Sequence, residues 1–118
     1  LKNAISNVLQ QSYNDIEIII IDDSSTDNTA HVVNSFNNKK INYIKHPRRK
    51  GTTQSRLTGI KYAKGDFIAF LDDDDIWNNN KLEIEINNIN NNVDFTLSNY
   101  IINNSINNSI KKINPENM

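Results

Sequence analysis

The sequence predicts an α/β domain: a mostly parallel, doubly wound sheet with helices on both faces, in incomplete form. Two observations carry this expectation. Apolar β-branched runs alternate with polar stretches of helical period in the order α-β-α-β-α-β-α-β, and such alternation favours a parallel sheet covered on both sides. Two of the strand-like runs also stop abruptly at carboxylates, Asp22-Asp23 and Asp72 to Asp75. Sheets of this class bind ligands beyond the carboxyl ends of their strands.

Each element has a local reason. Ala4, Ile5, Val8 and Leu9 recur at helical spacing and predict an amphipathic helix over 2–11. Ile16 and Ile18 to Ile21 form a β-branched run, expected as a strand buried on both faces. Ser24-Ser25-Thr26-Asp27 is rich in capping residues, and Ala30, Val33 and Phe36 then step at helical intervals. Ile41, Tyr43 and Ile44 predict a second, shorter strand, followed by a loop over 46–51. Leu57, Ile60 and Ala63 mark the apolar face of a helix over 52–64, with Gly65 placed for a left-handed C-cap. Phe67 to Leu71 reads as a third buried strand. Asn78 is a candidate cap for a helix carrying Leu82, Ile86 and Ile89 on one face, although Ile84 interrupts the period and leaves a strand open there. Val93 to Tyr100 reads as a fourth strand.

Composition limits the function classes. The 118 residues suffice for one domain with one core. Thirteen basic against fourteen acidic residues give a net charge of -1, so binding a nucleic acid polymer by phosphate neutralisation alone is excluded. Without cysteine there is neither a disulfide framework nor a thiolate metal site. No apolar run approaches the ~18–20 residues of a membrane span, and no signal-peptide pattern opens the chain. The 23 asparagines and 19 isoleucines share A/T-rich codons, so base bias explains them and puts much of the asparagine on surfaces. A low-complexity reading applies only to the Asn/Ile-rich tail, 101–118, expected as a ragged strand or loop beyond the 1–100 domain.

The acidic strand ends are the candidate chemistry. Four successive carboxylates, Asp72 to Asp75, repel one another unless a cation is present. Their hard oxygens suit Mg²⁺ or Mn²⁺ completed by water and a diphosphate. The bland alternative is a solvated turn leading into the next helix. Asp22 and Asp23 would lie on the same sheet edge, free to accept from a ribose hydroxyl or a base N–H, with one of them capping the helix that begins near Thr26. Arg48, Arg49, Lys50 and Arg56 cluster where they would offset a diphosphate's charge. For Arg48 and Arg49 an ordinary solvated loop is the better reading. His31 and His46 lack metal-ligand spacing and read as surface residues, and Trp77 reads as core packing.

Four stretches, in order, resemble the nucleotide-binding half of a family 2 glycosyltransferase with the GT-A, Rossmann-like fold. Ala4 through Tyr13 resembles "SVLxQTY", and Glu17 through Asp27 resembles "ELIIVDDGSTD". Lys50-Gly51 through Gly65-Asp66 resembles "KGxxxARNxGIxxAxGE", and Phe67 through Trp77 resembles "YIxFLDxDDxW". The resemblance covers about residues 1–100 and implies sugar transfer from a nucleotide-diphosphate sugar, UDP-type, to an acceptor hydroxyl on a glycan or lipid. It implies nucleotide-sugar contacts at Asp22, Asp23, Arg56 and Asp73, and a divalent cation, Mg²⁺ or Mn²⁺, on Asp72 and Asp74. It places the parent protein in the cytoplasm or at the cytoplasmic face of a membrane, touching it only through segments outside this chain.

Departures accompany the match. Ser24 stands for the motif's glycine, which is tolerable where φ stays negative. Ser55 and Leu57 flank Arg56 in place of alanine and asparagine, and Asn79 replaces a common proline. The family's first strand is expected before Leu1, and the acceptor half with the catalytic base after Met118, so no base is named and the chain alone is expected to be inactive. The alternatives are a non-catalytic nucleotide-sugar-binding module and a metal-dependent phosphoryl-transfer domain.

Overall fold

The computed structural model describes residues 1–89, 100–104 and 109–113. Its elements are α1 (Lys2–Leu9), β1 (Ile18–Asp22), α2 (Thr29–Ser35), β2 (Ile41–Lys45), α3 (Thr52–Tyr62), α4 (Lys81–Asn88), β3 (Tyr100–Asn104) and β4 (Ser109–Ile113). The expected α/β alternation is present through α3. The chain forms two compact units, Leu1–Glu83 and Ile84–Met118.

In the first unit β1 and β2 pair in parallel, with Ile18 opposite Ile41 and Asp22 opposite Lys45. The connection between them contains α2, as a parallel crossover requires. α3 lies against β1, where the position a Gly59 side chain would take is 3.8 Å from Ile21 Cγ1. Leu57 and Ile60 are 51% and 45% exposed, so the face expected to be buried on α3 is the outer one. The helix meets the sheet at this small residue, at a spacing that a methyl group would fill in ordinary contact.

Polar side chains do much of the joining. Ala4, Ile5 and Val33 are the buried apolar residues, and beside them Asn7, Gln11, Asp22 and His46 are buried as well. Asn7 grips the backbone of Trp77 in both directions: its Oδ1 accepts from the Trp77 amide (2.8 Å) and its Nδ2 donates to the Trp77 carbonyl (2.9 Å). Gln11 repeats the device, donating from Nε2 to the Asn78 carbonyl (2.8 Å) and accepting at Oε1 from the Leu82 amide (3.2 Å). The first turn of α4 therefore takes its cap from Gln11, two residues past α1, rather than from the Asn78 side chain. Half-buried Leu82, Ile86 and Ile89 against exposed Ile84 settle that segment as helix.

Three further expectations are corrected. Phe67 to Leu71 joins no ladder among the described residues, and Phe67, Ile68 and Phe70 are 57%, 45% and 50% exposed. A strand requires a neighbour, and β1 is hydrogen-bonded to β2 alone within its sheet. Gly65 is not left-handed: α3 ends at Tyr62, Ala63 is extended, and the Glu17 carboxylate accepts from the Lys64 and Gly65 amides at 2.6 and 3.1 Å. Ser24 has φ of +68°, not a negative value, in the region a side chain disfavours. Of the expected fourth strand, residues 93–99 lie outside the described residues. In the second unit β3 and β4 pair antiparallel, Tyr100 opposite Ile113.

Two stability changes follow. Gln11→Ala strands the Leu82 amide, while the Asn78 carbonyl keeps the Lys81 amide (3.0 Å), and is expected to lower unfolding free energy by ~1–3 kcal/mol in urea titration. Ser24→Gly removes a left-handed side chain and is expected to raise it by up to ~1 kcal/mol. An unchanged urea midpoint in either variant contradicts the corresponding assignment.

Candidate functional site

The parallel register dictates which side chains meet at the carboxyl edge. With Asp22 opposite Lys45, the next residues along, Asp23 and His46, are neighbours. The His46 amide donates to the Asp22 carbonyl (2.8 Å), extending the pairing one residue past β2. His46 is thereby buried, 4% exposed, and not the surface residue expected from its lack of ligand spacing. Its Nδ1 lies 2.8 Å from Asp23 Oδ1 and its Nε2 3.0 Å from Thr58 Oγ1 on α3.

Asp23 is the hub. Its Oδ1 also accepts from the Lys50 amide (2.8 Å), while Oδ2 accepts from the Gly51 amide (2.7 Å) and, at 3.1 Å, from Lys50 again. Gly51 is the N-cap of α3 at φ of +88°, a conformation suited to glycine. One carboxylate thus closes the 46–51 loop and seats the start of α3. The hydrogen bond from His46, helped by the Lys50 and Gly51 amides and opposed by partial burial, holds its pKa down to about 2.

Asp22 faces inward. Its Oδ1 accepts from the Ser25 amide (2.7 Å), and its Oδ2 accepts from the Tyr43 hydroxyl with Lys45 Nζ 3.6 Å away. Burial pushes its carboxyl up, but the Tyr43 and Ser25 hydrogen bonds and the Lys45 charge outweigh that, so it stays below its ordinary value. Burial and the neighbouring carboxylate push the Tyr43 phenol up to about 12. Neither aspartate caps α2; that falls to Asp27, which accepts from the Thr29 amide (3.0 Å) and hydroxyl (2.5 Å). Asp22 shapes the turn that presents Asp23.

The second acidic group is linked to the same helix. Arg56 on α3 donates from Nη2 to Asp72 Oδ1 (3.2 Å) and lies 5.7 Å from the centroid of the Phe70 ring. Both partners are about half exposed, so the pair contributes at most ~1 kcal/mol to stability and serves to orient. Asp72 to Asp75 form an exposed turn in which the Asp75 amide donates to the Asp72 carbonyl (3.1 Å). Among the described residues no three His, Cys, Asp or Glu side chains converge as a metal cage. One or two of these carboxylates still match how Mg²⁺ is held together with phosphate oxygens. Arg48 and Arg49 are exposed, and Lys50 contributes its backbone amide to Asp23. Trp77 is half-buried, its ring covered by Lys81 Nζ at 4.5 Å.

Sequence reasoning missed His46, Tyr43 and Thr58. His46 could have been found by setting the two strand ends side by side: parallel strands finishing at Asp22-Asp23 and Lys45-His46 must bring those pairs together, whereas Tyr43 lies opposite Ile20 and reaches Asp22 only diagonally. Thr58 carried no signal, because α3's rotation depends on where Gly59 touches Ile21.

Since Asp23 titrates low when folded, its contribution to stability is complete above the ordinary carboxyl value of 3.8 and is lost as pH falls towards about 2. Asp23→Asn is expected to flatten the acid limb of melting temperature against pH across that window. An unaltered acid limb contradicts the Asp23 hub.

Known proteins bear on the site. Residues 1–117 match the glycosyl transferase family 2 domain. Over 104 residues the chain is 46% identical to the UDP-Glc:alpha-D-GlcNAc-diphosphoundecaprenol beta-1,3-glucosyltransferase WfgD of Escherichia coli, covering 86% of this chain and 41% of that protein. Identity is 42% to WfaP, a second Escherichia coli protein with the same described activity, over 83% of this chain and 39% of the relative. It is 36% to an uncharacterized glycosyltransferase of Haemophilus influenzae, over 86% of this chain and 39% of that one. The chain thus spans about two-fifths of the length of these relatives. A strand end that carries two carboxylates beside the start of α3, and a match across nearly the whole chain, lead to one conclusion: this chain belongs to glycosyl transferase family 2, with the α/β order of its GT-A fold.

Proposed function

We propose that this chain forms the nucleotide-sugar side of a glycosyltransferase that moves a sugar from a UDP-linked donor to an acceptor hydroxyl. The observation that carries the reading is the seat of Asp23 at the carboxyl edge of the parallel pair. Three donors make four hydrogen bonds to its carboxylate, and the weakest of these, the longer arm of the shared Lys50 amide on Oδ2 (3.1 Å), is the one a nucleoside N–H or hydroxyl would replace. Asp22 holds the turn behind it. Arg56 and Asp73 are the further donor contacts, Arg56 bringing positive charge beside the diphosphate and Asp73 accepting from the ribose. The described activities of the Escherichia coli relatives favour a UDP-hexose donor and a lipid-diphosphate acceptor, and our reading puts that transfer at the cytoplasmic face of a membrane. Among the described residues no helix is long and apolar enough to cross one.

Asp72 and Asp74 would hold Mg²⁺ or Mn²⁺. When bound, the cation supplies Lewis-acid stabilisation of the departing diphosphate. Asp72, already turned towards Arg56, ties that charge to α3. The base that deprotonates the acceptor is assigned to none of the described residues.

The test is calorimetric titration of UDP into the intact protein with and without Mn²⁺. Linkage requires each ligand to strengthen the other by the same factor, here expected at ~10-fold or more. Asp74→Asn is expected to abolish most of that coupling and Asp75→Asn to spare it. Manganese-independent UDP binding, or unchanged coupling in Asp74→Asn, removes these carboxylates as the donor's metal site. Absence of UDP binding together with a covalent aspartyl-phosphate would favour phosphoryl transfer instead.

A further inference from the structure

We propose that His46 is a positioning residue of the donor site: through Nδ1 it fixes the Asp23 carboxylate so that a single acceptor position, the one on Oδ2 holding only the longer arm of the Lys50 amide, is yielded to the nucleoside. The proposal rests on the reading of Asp23 as a nucleoside contact and goes beyond it by assigning a residue that makes the contact directional.

The hydrogen-bond inventory carries the argument. Oδ1 has two donors at 2.8 Å, His46 Nδ1 and the Lys50 amide. Oδ2 has the Gly51 amide at 2.7 Å and only the longer share of Lys50 at 3.1 Å. An ionised carboxylate accepts and does not donate, so Nδ1 must carry its proton. The far side of the ring is equally tied. Thr58 Oγ1, 3.0 Å from Nε2, also lies 2.9 Å from the Gln54 carbonyl, a second acceptor for its proton. With one hydroxyl proton, Thr58 either donates to Nε2 or donates to Gln54 while accepting from a protonated Nε2. Both arrangements leave Nδ1–H on Asp23, so the ring's hold on the carboxylate is independent of its charge. Remove that donor and Oδ1 gains a vacant position. The carboxylate can then swing on its Cβ–Cγ bond, and a ligand donor meets two competing oxygens instead of one.

A merely structural histidine would fill space and join α3 to β2; the substitutions separate the two roles. The Asn side-chain amide places its nitrogen near the Nδ1 position, whereas that of Gln reaches towards Nε2. UDP affinity of the intact protein is measured by calorimetry, with melting curves confirming cooperative folding. His46→Leu and His46→Gln are expected to bind UDP about tenfold more weakly, as loss of a hydrogen bond to a charged group predicts. His46→Asn is expected to restore most of that loss. Wild-type affinity in His46→Gln, or no rescue by His46→Asn, overturns the proposal. Asp23→Ala distinguishes the two ways of failing. If it binds UDP as tightly as wild type, the reading of Asp23 falls and this inference with it; if it loses binding while His46→Gln keeps it, only the role of His46 falls. Nitrogen-15 spectra of the unsubstituted protein at about pH 8, where a free imidazole is neutral, need no variant to fold. The expected result is the Nδ1–H form of His46, and a predominant Nε2–H form overturns the proposal.

Discussion

Three donors from one loop converge on the Asp23 carboxylate, and the candidate site depends on their meeting there. A charged acceptor with amide and imidazole donors makes hydrogen bonds stronger than neutral ones. Here they join the end of β1, the residue after β2 and the N-cap of α3. Because Asp23 seats Gly51, it also sets where α3 begins, and Arg56 rides on that helix to reach Asp72. The two acidic groups are therefore coupled through a helix, although they do not share a cage of ligands.

The same economy governs the rest of the first unit. Its buried apolar residues are few and small, and Asn7 and Gln11 bind backbone seventy or so positions away. A buried amide side chain with both ends satisfied is specific in a way that an apolar contact is not, since a shift of one residue breaks two hydrogen bonds. The segment from Trp77 to Leu82, which follows the acidic turn, is held by this means. The Asp72 to Asp75 turn thus sits between two anchors, Arg56 on one side and the Asn7 and Gln11 staples on the other.

Ser24 shows how the turn after the two strand-end aspartates tolerates a departure from its family. Its φ of +68° is the conformation that a glycine supplies without strain. Asp22, accepting from the Ser25 amide and from Tyr43, holds the turn regardless. A buried, doubly occupied carboxylate opposes the backbone's preference, and the turn keeps its shape with a serine in it.

Much was legible in the residues themselves. The alternation of β-branched runs with helical periods gave the α/β order, because burial on two faces or on one stripe leaves different periods in a sequence. Carboxylates directly after the Ile18 to Ile21 run marked the sheet edge, those after Phe67 to Leu71 did not, and the ordered motifs marked the family. Pairing and exposure were decided elsewhere. Phe67 to Leu71 is as strand-like in composition as Ile18 to Ile21, yet only the latter is hydrogen-bonded to a neighbour among the described residues. A ladder belongs to two segments, and one segment's letters do not contain its partner. His46 looked like a surface residue for the same reason. Its burial arises from the register of two parallel strands and from α3 lying over them with Thr58 on the ring, relations along the chain that no local pattern records.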